Sequence, residues 1–242
     1  MMVAEFLEWD SAFFERRVAR VRGHRLDAVR LAAIEAWCAS NRIDVLYFLA
    51  DADDPLTTRL AERSGFHLTD IRLTLERTIR PADSALPPTP GIRPAAEADI
   101  PALRAIAAGS YTDSRFFYDQ RFTPGKAAEL YAIWVEKSVR GSADAVWVMD
   151  EGAGVTSGYI TCHLNADGAG QIGLVGVAEA ARGAGVGRQL VEAAVRWFAR
   201  NGVDAASVVT QGRNVPAQRL YQRSGFVTHS VQLWYHRWFS EE

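Results

Sequence analysis

Residues 174–200 read LVGVAEAARGAGVGRQLVEAAVRWFAR, and the fold is decided there. Leu174-Val175-Gly176-Val177 is a short apolar run without helical period, which suits a buried strand. Arg182-Gly183-Ala184-Gly185-Val186-Gly187 follows, with three glycines on alternate positions. Beyond Arg188, the residues Leu190, Val191, Ala194, Val195 and Phe198 recur at three- and four-residue steps, the apolar stripe of an amphipathic helix. Asn201-Gly202 closes that helix with a left-handed cap signal. A strand that passes through glycines into a helix N-terminus brings free N–H groups and a helix dipole to one place. A phosphate-bearing ligand is expected there.

The glycine spacing is neither that of a dinucleotide fingerprint nor that of a P-loop, and Arg188 stands where the P-loop lysine would be. A second signature follows downstream. Ala205 to Thr210 reads as an apolar strand ending at Gln211-Gly212-Arg213-Asn214, and Asn214 can cap a short helix from Val215 to Arg223. Tyr221 lies on that helix, which Ser224-Gly225-Phe226 ends.

Arg-x-x-Gly-x-Gly after a strand, followed by Asn214, Ala217, Tyr221 and Gly225-Phe226, resembles the two signatures of the GCN5-related N-acetyltransferases. The resemblance implies an α/β (α+β) fold with a mixed central sheet, splayed parallel strands and flanking helices. It implies acetyl-CoA as acyl donor and no metal. The strand Leu174, Val175, Gly176 and Val177 would pair with the pantetheine arm, with Gly176 permitting a bulge and the Val177 N–H serving as oxyanion donor. Arg182, Gly183, Gly185, Val186, Gly187 and Arg188 would hold the pyrophosphate, Asn214 and Ala217 the cofactor arm. Tyr221 would face the thioester sulfur and protonate it. Many relatives carry a glutamate base on this strand. Here Gln171 and Gly173 occupy its neighbourhood, His163 is an isolated histidine, and no base is assigned.

The chain has 242 residues and a formal net charge of −2, which gives no basic surface for nucleic acid or for an anionic membrane. Cys38 and Cys162 have neither metal-ligand spacing nor a disulfide framework. No segment approaches the ~20 apolar residues of a membrane span, and, since the first residues lack a charged segment followed by an apolar one, no signal peptide is expected. A cytoplasmic protein acting on a small-molecule amine is the expectation, with a homodimer left open.

Arg80-Pro81 through Pro90-Gly91 is rich in proline and small residues and reads as a linker. What precedes it repeats what ends the chain. Arg59-Leu60-Ala61-Glu62-Arg63-Ser64-Gly65-Phe66 matches Arg219-Leu220-Tyr221-Gln222-Arg223-Ser224-Gly225-Phe226 at an offset of 160 positions (219 minus 59). The ungapped register carries Trp37 onto Trp197, Asn41 onto Asn201 and Leu73 onto Leu233. In the first copy Ala61 replaces the tyrosine, Asp54 replaces the asparagine, and His24-Arg25-Leu26 stands in place of the glycine loop. Residues 1–80 are therefore expected to be a truncated, degenerate unit without acetyl-CoA, 81–91 the linker and 92–242 the acetyltransferase domain, with the helix Leu26–Ser40 matching Arg188–Arg200.

The segment Tyr111 to Arg121 is aromatic and arginine-containing, and the resemblance places Arg115, Phe116 and Arg121 at the acceptor. Val146–Met149 and Tyr159–Cys162 read as antiparallel strands joined through Gly152-Ala153-Gly154, and Val231–Tyr235 as a half-buried last strand. Glu8-Trp9-Asp10-Ser11 with Phe13-Phe14, Ser114-Arg115-Phe116 and Leu130-Tyr131-x-x-Trp134-Val135 add a narrower resemblance. They are similar to the members of that family that acetylate a TDP-linked 4-amino-4,6-dideoxygalactose for polysaccharide assembly. The alternatives are an acetyltransferase for a peptide or antibiotic amine, and a non-catalytic acetyl-CoA-binding module.

Overall fold

In the computed structural model the described residues are 2–85, 87–152 and 154–239; Leu86 of the expected linker and Ala153 of the expected turn lie outside them. The strands are β1 (Ala4–Phe6), β2 (Val18–Val21), β3 (Val45–Asp51), β4 (His67–Thr78), β5 (Ile92–Pro94), β6 (Ala145–Asp150), β7 (Thr156–Leu164), β8 (Gly170–Val177), β9 (Ala205–Gln211) and β10 (Val227–Trp238). The helices are α1 (Glu8–Phe14), α2 (Ala28–Ser40), α3 (Pro55–Arg63), α4 (Ile100–Ala108), α5 (Arg115–Tyr118), α6 (Pro124–Lys137), α7 (Val186–Arg200) and α8 (Val215–Arg223).

The repeat is visible in the element boundaries. β3, α3 and β4 recur as β9, α8 and β10 at the offset of 160, and α2 ends at Ser40 as α7 ends at Arg200. α2 starts at Ala28 and not at Leu26, because Asp27 adopts an extended conformation and its side chain accepts the Arg30 N–H as N-cap. Asp54 and Asn214 likewise cap α3 and α8.

All the strands join in one ten-stranded mixed sheet of order β1-β2-β3-β10-β4-β9-β8-β7-β6-β5. The two copies exchange their last strands. β10 runs antiparallel between β3 and β4, and β4 runs antiparallel between β10 and β9. No sheet boundary therefore separates the halves. The last strand is longer at both ends than the expected Val231–Tyr235, because β4 pairs with it from Val227 to His236 and β3 from Gln232 to Trp238.

α7 covers one face through Leu190, Val191, Ala194, Val195 and Phe198, as its periodicity requires. α2 packs on the same side over the first half through Leu31, Ile34 and Cys38. α4, α5 and α6 cover the opposite face, where Tyr47, Leu103, Phe116, Leu130, Tyr131 and Tyr159 are buried together.

β8 and β9 are parallel neighbours only over Gly170–Ile172 and Ala206–Val208, and then part. The bulge that bends β8 lies at Gly173–Leu174, opposite Thr161, whose Oγ1 accepts the Leu174 N–H at 2.8 Å. The expected bulge at Gly176 is thus corrected: Gly176 pairs in regular register with Tyr159. Glycine is needed there for another reason, since a Cβ would stand 2.5 Å from Tyr159 Cε1.

Candidate active site

The parting of β8 and β9 leaves a gap whose β8 wall is set by antiparallel alternation. The Ala178 N–H donates to Ser157 O at 2.8 Å, so Ala178 and Ser157 form a hydrogen-bonded pair. Val177 and Val175 then fall on the alternate, non-bonded pairs, and their N–H groups turn away from β7 towards the gap. Arg182 folds back at the rim, donating from Nε to Val177 O at 3.3 Å and from Nη2 to Gly109 O at 3.1 Å. It links the glycine loop to the end of α4.

The loop itself is a nest of donors. Gly183 and Gly185 sit at φ +83° and +88°, values that exclude other residues without strain, and a Cβ on either would meet open space. The N–H groups of Gly183, Gly185, Val186, Gly187 and Arg188 donate to no acceptor among the described residues. Such a row at the start of a fifteen-residue helix fits a pyrophosphate. Arg188 turns along the helix instead, its Nε bonded to Glu192 at 2.8 Å with most of its side chain in solvent.

α8 supplies the other wall. Asn214 Oδ1 accepts the Ala217 N–H at 3.1 Å, and Gln218 Nε2 donates to the carbonyls of Gln211 and Gly212, fixing the helix to the end of β9. Tyr221 is buried beside Phe226 in the α7 core, its phenol pushed upward by burial, and its hydroxyl has no hydrogen-bond partner among the described residues. The Tyr111 phenol, on the opposite face, is pushed upward in pKa by burial and then by the Tyr159 hydroxyl. Tyr111 in turn lies 2.9 Å from the Tyr159 hydroxyl and stacks on Tyr131 with ring centroids 4.3 Å apart.

Beyond the gap, towards the first half, the face under α5 carries the acceptor candidates. The Arg115 guanidinium lies over Tyr47, Phe116 and Trp234 at 4.2, 4.3 and 4.2 Å, and Nη1 reaches Nε2 of His236 at 2.9 Å. Phe116 is buried among Phe14, Tyr47 and Phe122, so it supports Arg115 from below. Arg121 stands apart over Trp238. His163, on β7, lies over Gly173, so that a Cβ there would stand 2.6 Å from its Nε2; burial lowers its pKa.

Reading the sequence missed Asp70. It pairs with Trp234 across β4 and β10, which puts both on the Arg115 face. Its side chain is buried, one oxygen accepts the Ile71 N–H at 2.8 Å, and burial raises its pKa to about 6 against the pull of Arg213. Nothing local in Leu68-Thr69-Asp70-Ile71 marks it; only the lone charge within a strand pattern could have drawn attention. Among the described residues no cluster of three or more His, Cys, Asp or Glu could hold a metal, and no helix is long and apolar enough to cross a membrane.

Residues 118–226 match the model of the acetyltransferase (GNAT) family. The dTDP-fucosamine acetyltransferase of Escherichia coli O6:H1 is 28% identical over 235 residues, covering 96% of this chain and 97% of that one. The mycothiol acetyltransferase of Beutenbergia cavernae is 28% identical over 231 residues, 88% of this chain and 71% of that one. Among solved structures, a GCN5-related N-acetyltransferase from Sphaerobacter thermophilus has a TM-score of 0.68 at 18% identity, covering 98% of this chain and 76% of that one. That structural likeness concerns the fold.

Proposed function

Because this chain belongs to the acetyltransferase (GNAT) family and is an N-acetyltransferase, we propose that its acceptor is the amino group of a nucleotide-linked amino sugar. The sugar would be a TDP-4-amino-4,6-dideoxyhexose, used in polysaccharide biosynthesis. Members of the family generally bind acetyl-CoA and act on small amine acceptors. The finer reading draws on likeness over nearly the whole length to an enzyme named for dTDP-fucosamine.

The observation that carries the reading is the parting of β8 and β9 beyond Ile172 and Val208, which leaves the Val177 N–H turned from β7 towards the gap, next to the glycine loop with its free N–H groups. Acetyl-CoA supplies the acyl group as a thioester. The free N–H groups from Gly183 to Arg188 hold its pyrophosphate, with Arg182 at the rim. The edge of β8 from Leu174 to Val177 aligns its arm, and α8, capped by Asn214 at Ala217, closes the other side. The Val177 N–H stabilises the negative oxygen that develops as the amine nitrogen bonds to the acyl carbon. As the carbon–sulfur bond breaks, the Tyr221 hydroxyl gives its proton to sulfur, and Asp70 receives the proton that the amine gives up. Residues 1–80 act as a degenerate unit in this reading, 81–91 as the link and 92–242 as the catalytic unit. The first unit's equivalent of the loop is filled from within, since Thr57 Oγ1 takes the Leu26 N–H at 2.7 Å.

Incubating the full chain with acetyl-CoA and TDP- and UDP-linked amino sugars, a peptide amine and an aminoglycoside, followed by mass spectrometry, tests the reading. An added acetyl group on a TDP-amino sugar alone is the expected outcome. Acetylation of only the peptide or the aminoglycoside would overturn it.

A further inference from the structure

On the same face as the reaction gap, the first half carries an open cavity of ≈ 380 Å³ lined by Arg20, Arg22, His24, Leu49, Arg72 and Trp234. The charges there do not balance. Glu5 is the one carboxylate lining it among the described residues, and it is shared between Arg20 at 2.5 Å and Arg22 at 3.0 Å. Arg72 has no carboxylate within 4.0 Å among the described residues, and its Nε is buried without a hydrogen-bond partner. Burial, Arg115 and Arg20 all press its pKa downward, so every neighbour that acts on it disfavours its charge. Arg115 is half-buried and meets no carboxylate at salt-bridge distance among the described residues; Asp10 and Asp70 act on it from farther away. A half-buried guanidinium that is repelled by two others, lacks a counterion and has a buried Nε without an acceptor is costly in a folded protein. An anion from outside would supply what the chain does not, and guanidinium groups bind phosphate oxygens in pairs.

The cavity lies in line with the gap. Arg72 pairs with Gln211 at the open end of β9, one strand away, and Arg20 lies on β2, four strands away. At ~4.8 Å per strand these positions are about 5 and 19 Å from the β9 wall along the sheet. Trp234 and Arg115 lie between them, and the indole offers a flat apolar wall on which a base can rest.

We propose that this cavity binds the diphosphate of a nucleoside diphosphate carried by the acceptor, with Arg72 as the inner ligand and Arg20 and Arg22 at the rim. It rests on the reading of the acceptor as a nucleotide-linked sugar. The degenerate half is then the part of the molecule that holds the acceptor's handle, while the second half holds the acetyl donor.

Calorimetry on the full chain with TDP, thymidine and inorganic pyrophosphate tests this. TDP is expected to bind and thymidine not. Arg72→Gln should weaken TDP binding by about 10- to 100-fold, the effect of losing a hydrogen bond to a charged group. Arg20→Gln, at an exposed position where folding is not at risk, should weaken it by a smaller factor, and both variants should keep the parent's affinity for acetyl-CoA. Unchanged TDP affinity in both variants, or no TDP binding by the parent, overturns the site. Pyrophosphate binding as tight as TDP overturns the nucleoside part of the assignment. If TDP binds in an Arg72-dependent manner but no TDP-amino sugar is acetylated, the cavity stands and the acceptor reading falls.

Discussion

Arg115 Nη1 lies 2.9 Å from His236 Nε2, and this contact fixes the tautomer of a histidine 121 residues away. Arginine can only donate, so Nε2 accepts, and the proton sits on Nδ1, which donates to Asp119 Oδ2 at 2.6 Å. Asp119 also accepts from Trp238 Nε1 at 3.0 Å. Burial lowers the His236 pKa to about 4, with Arg115 acting in the same direction and Asp119 opposing it. The side chain that presents Arg115 to the acceptor face is therefore a neutral imidazole on the exchanged strand.

His236 should make the protein acid-labile. Its native pKa of about 4 lies below the ordinary 6.5, so between these values the unfolded chain binds more protons and stability falls as pH falls. The full effect is about 3 kcal/mol. Urea titrations of the parent and His236→Gln should give a stability difference that shrinks by that order from pH 7.5 to pH 4. A constant difference would show that the imidazole is not held neutral.

Asp70 should act with the opposite sign. Its native pKa of about 6 lies above the ordinary 3.8, so the native state binds more protons in that window and stability falls as pH rises. Asp70→Asn should gain about 3 kcal/mol relative to the parent between pH 4 and pH 7. In the parent the two effects oppose each other between pH 4 and 6, so only the variants separate them. If the two melting curves keep a fixed spacing across this range, Asp70 is not buried as a charge.

Tyr221→Phe removes one hydroxyl and keeps the ring against Phe226. The rate of acetyl transfer should fall by roughly 10²–10⁴, with acetyl-CoA affinity and melting temperature close to the parent's. Turnover equal to the parent's would make Tyr221 a packing residue.

Gly185→Val should act on donor binding. At φ +88° a branched side chain strains the loop that carries the free N–H groups. Acetyl-CoA affinity should drop by at least tenfold in calorimetry, with a stability loss of about 1–2 kcal/mol. Retained affinity would move the pyrophosphate elsewhere.

The sequence makes the local elements plain. Alternate glycines from Gly183 to Gly187, the stripe from Leu190 to Phe198 and the caps at Asn214 and Asp54 each act within a few residues, and the repeat at 160 positions ties the two halves together. What it conceals depends on partners far apart in the chain. The bulge falls at Gly173–Leu174 because Thr161 and His163 crowd β8 from the neighbouring strand. Asp70 joins the acceptor face through Trp234, and Arg72 through Trp234 and Arg20, contacts fixed by the exchange of β4 and β10. No periodicity within either half records which strand will lie beside it.

The exchanged strands have a consequence for synthesis. β3 and β4 leave the ribosome with their pairing edges bare, because the strand that lies between them, β10, ends at Trp238. The chain from β4 to that point is about 160 residues, which takes roughly 8–30 s to translate at ~5–20 residues per second. During that interval the first half is an open sheet of the kind that pairs with other chains. It cannot finish folding as an independent unit, so a truncation anywhere within the last strand should expose the same edges permanently and send the product into aggregates.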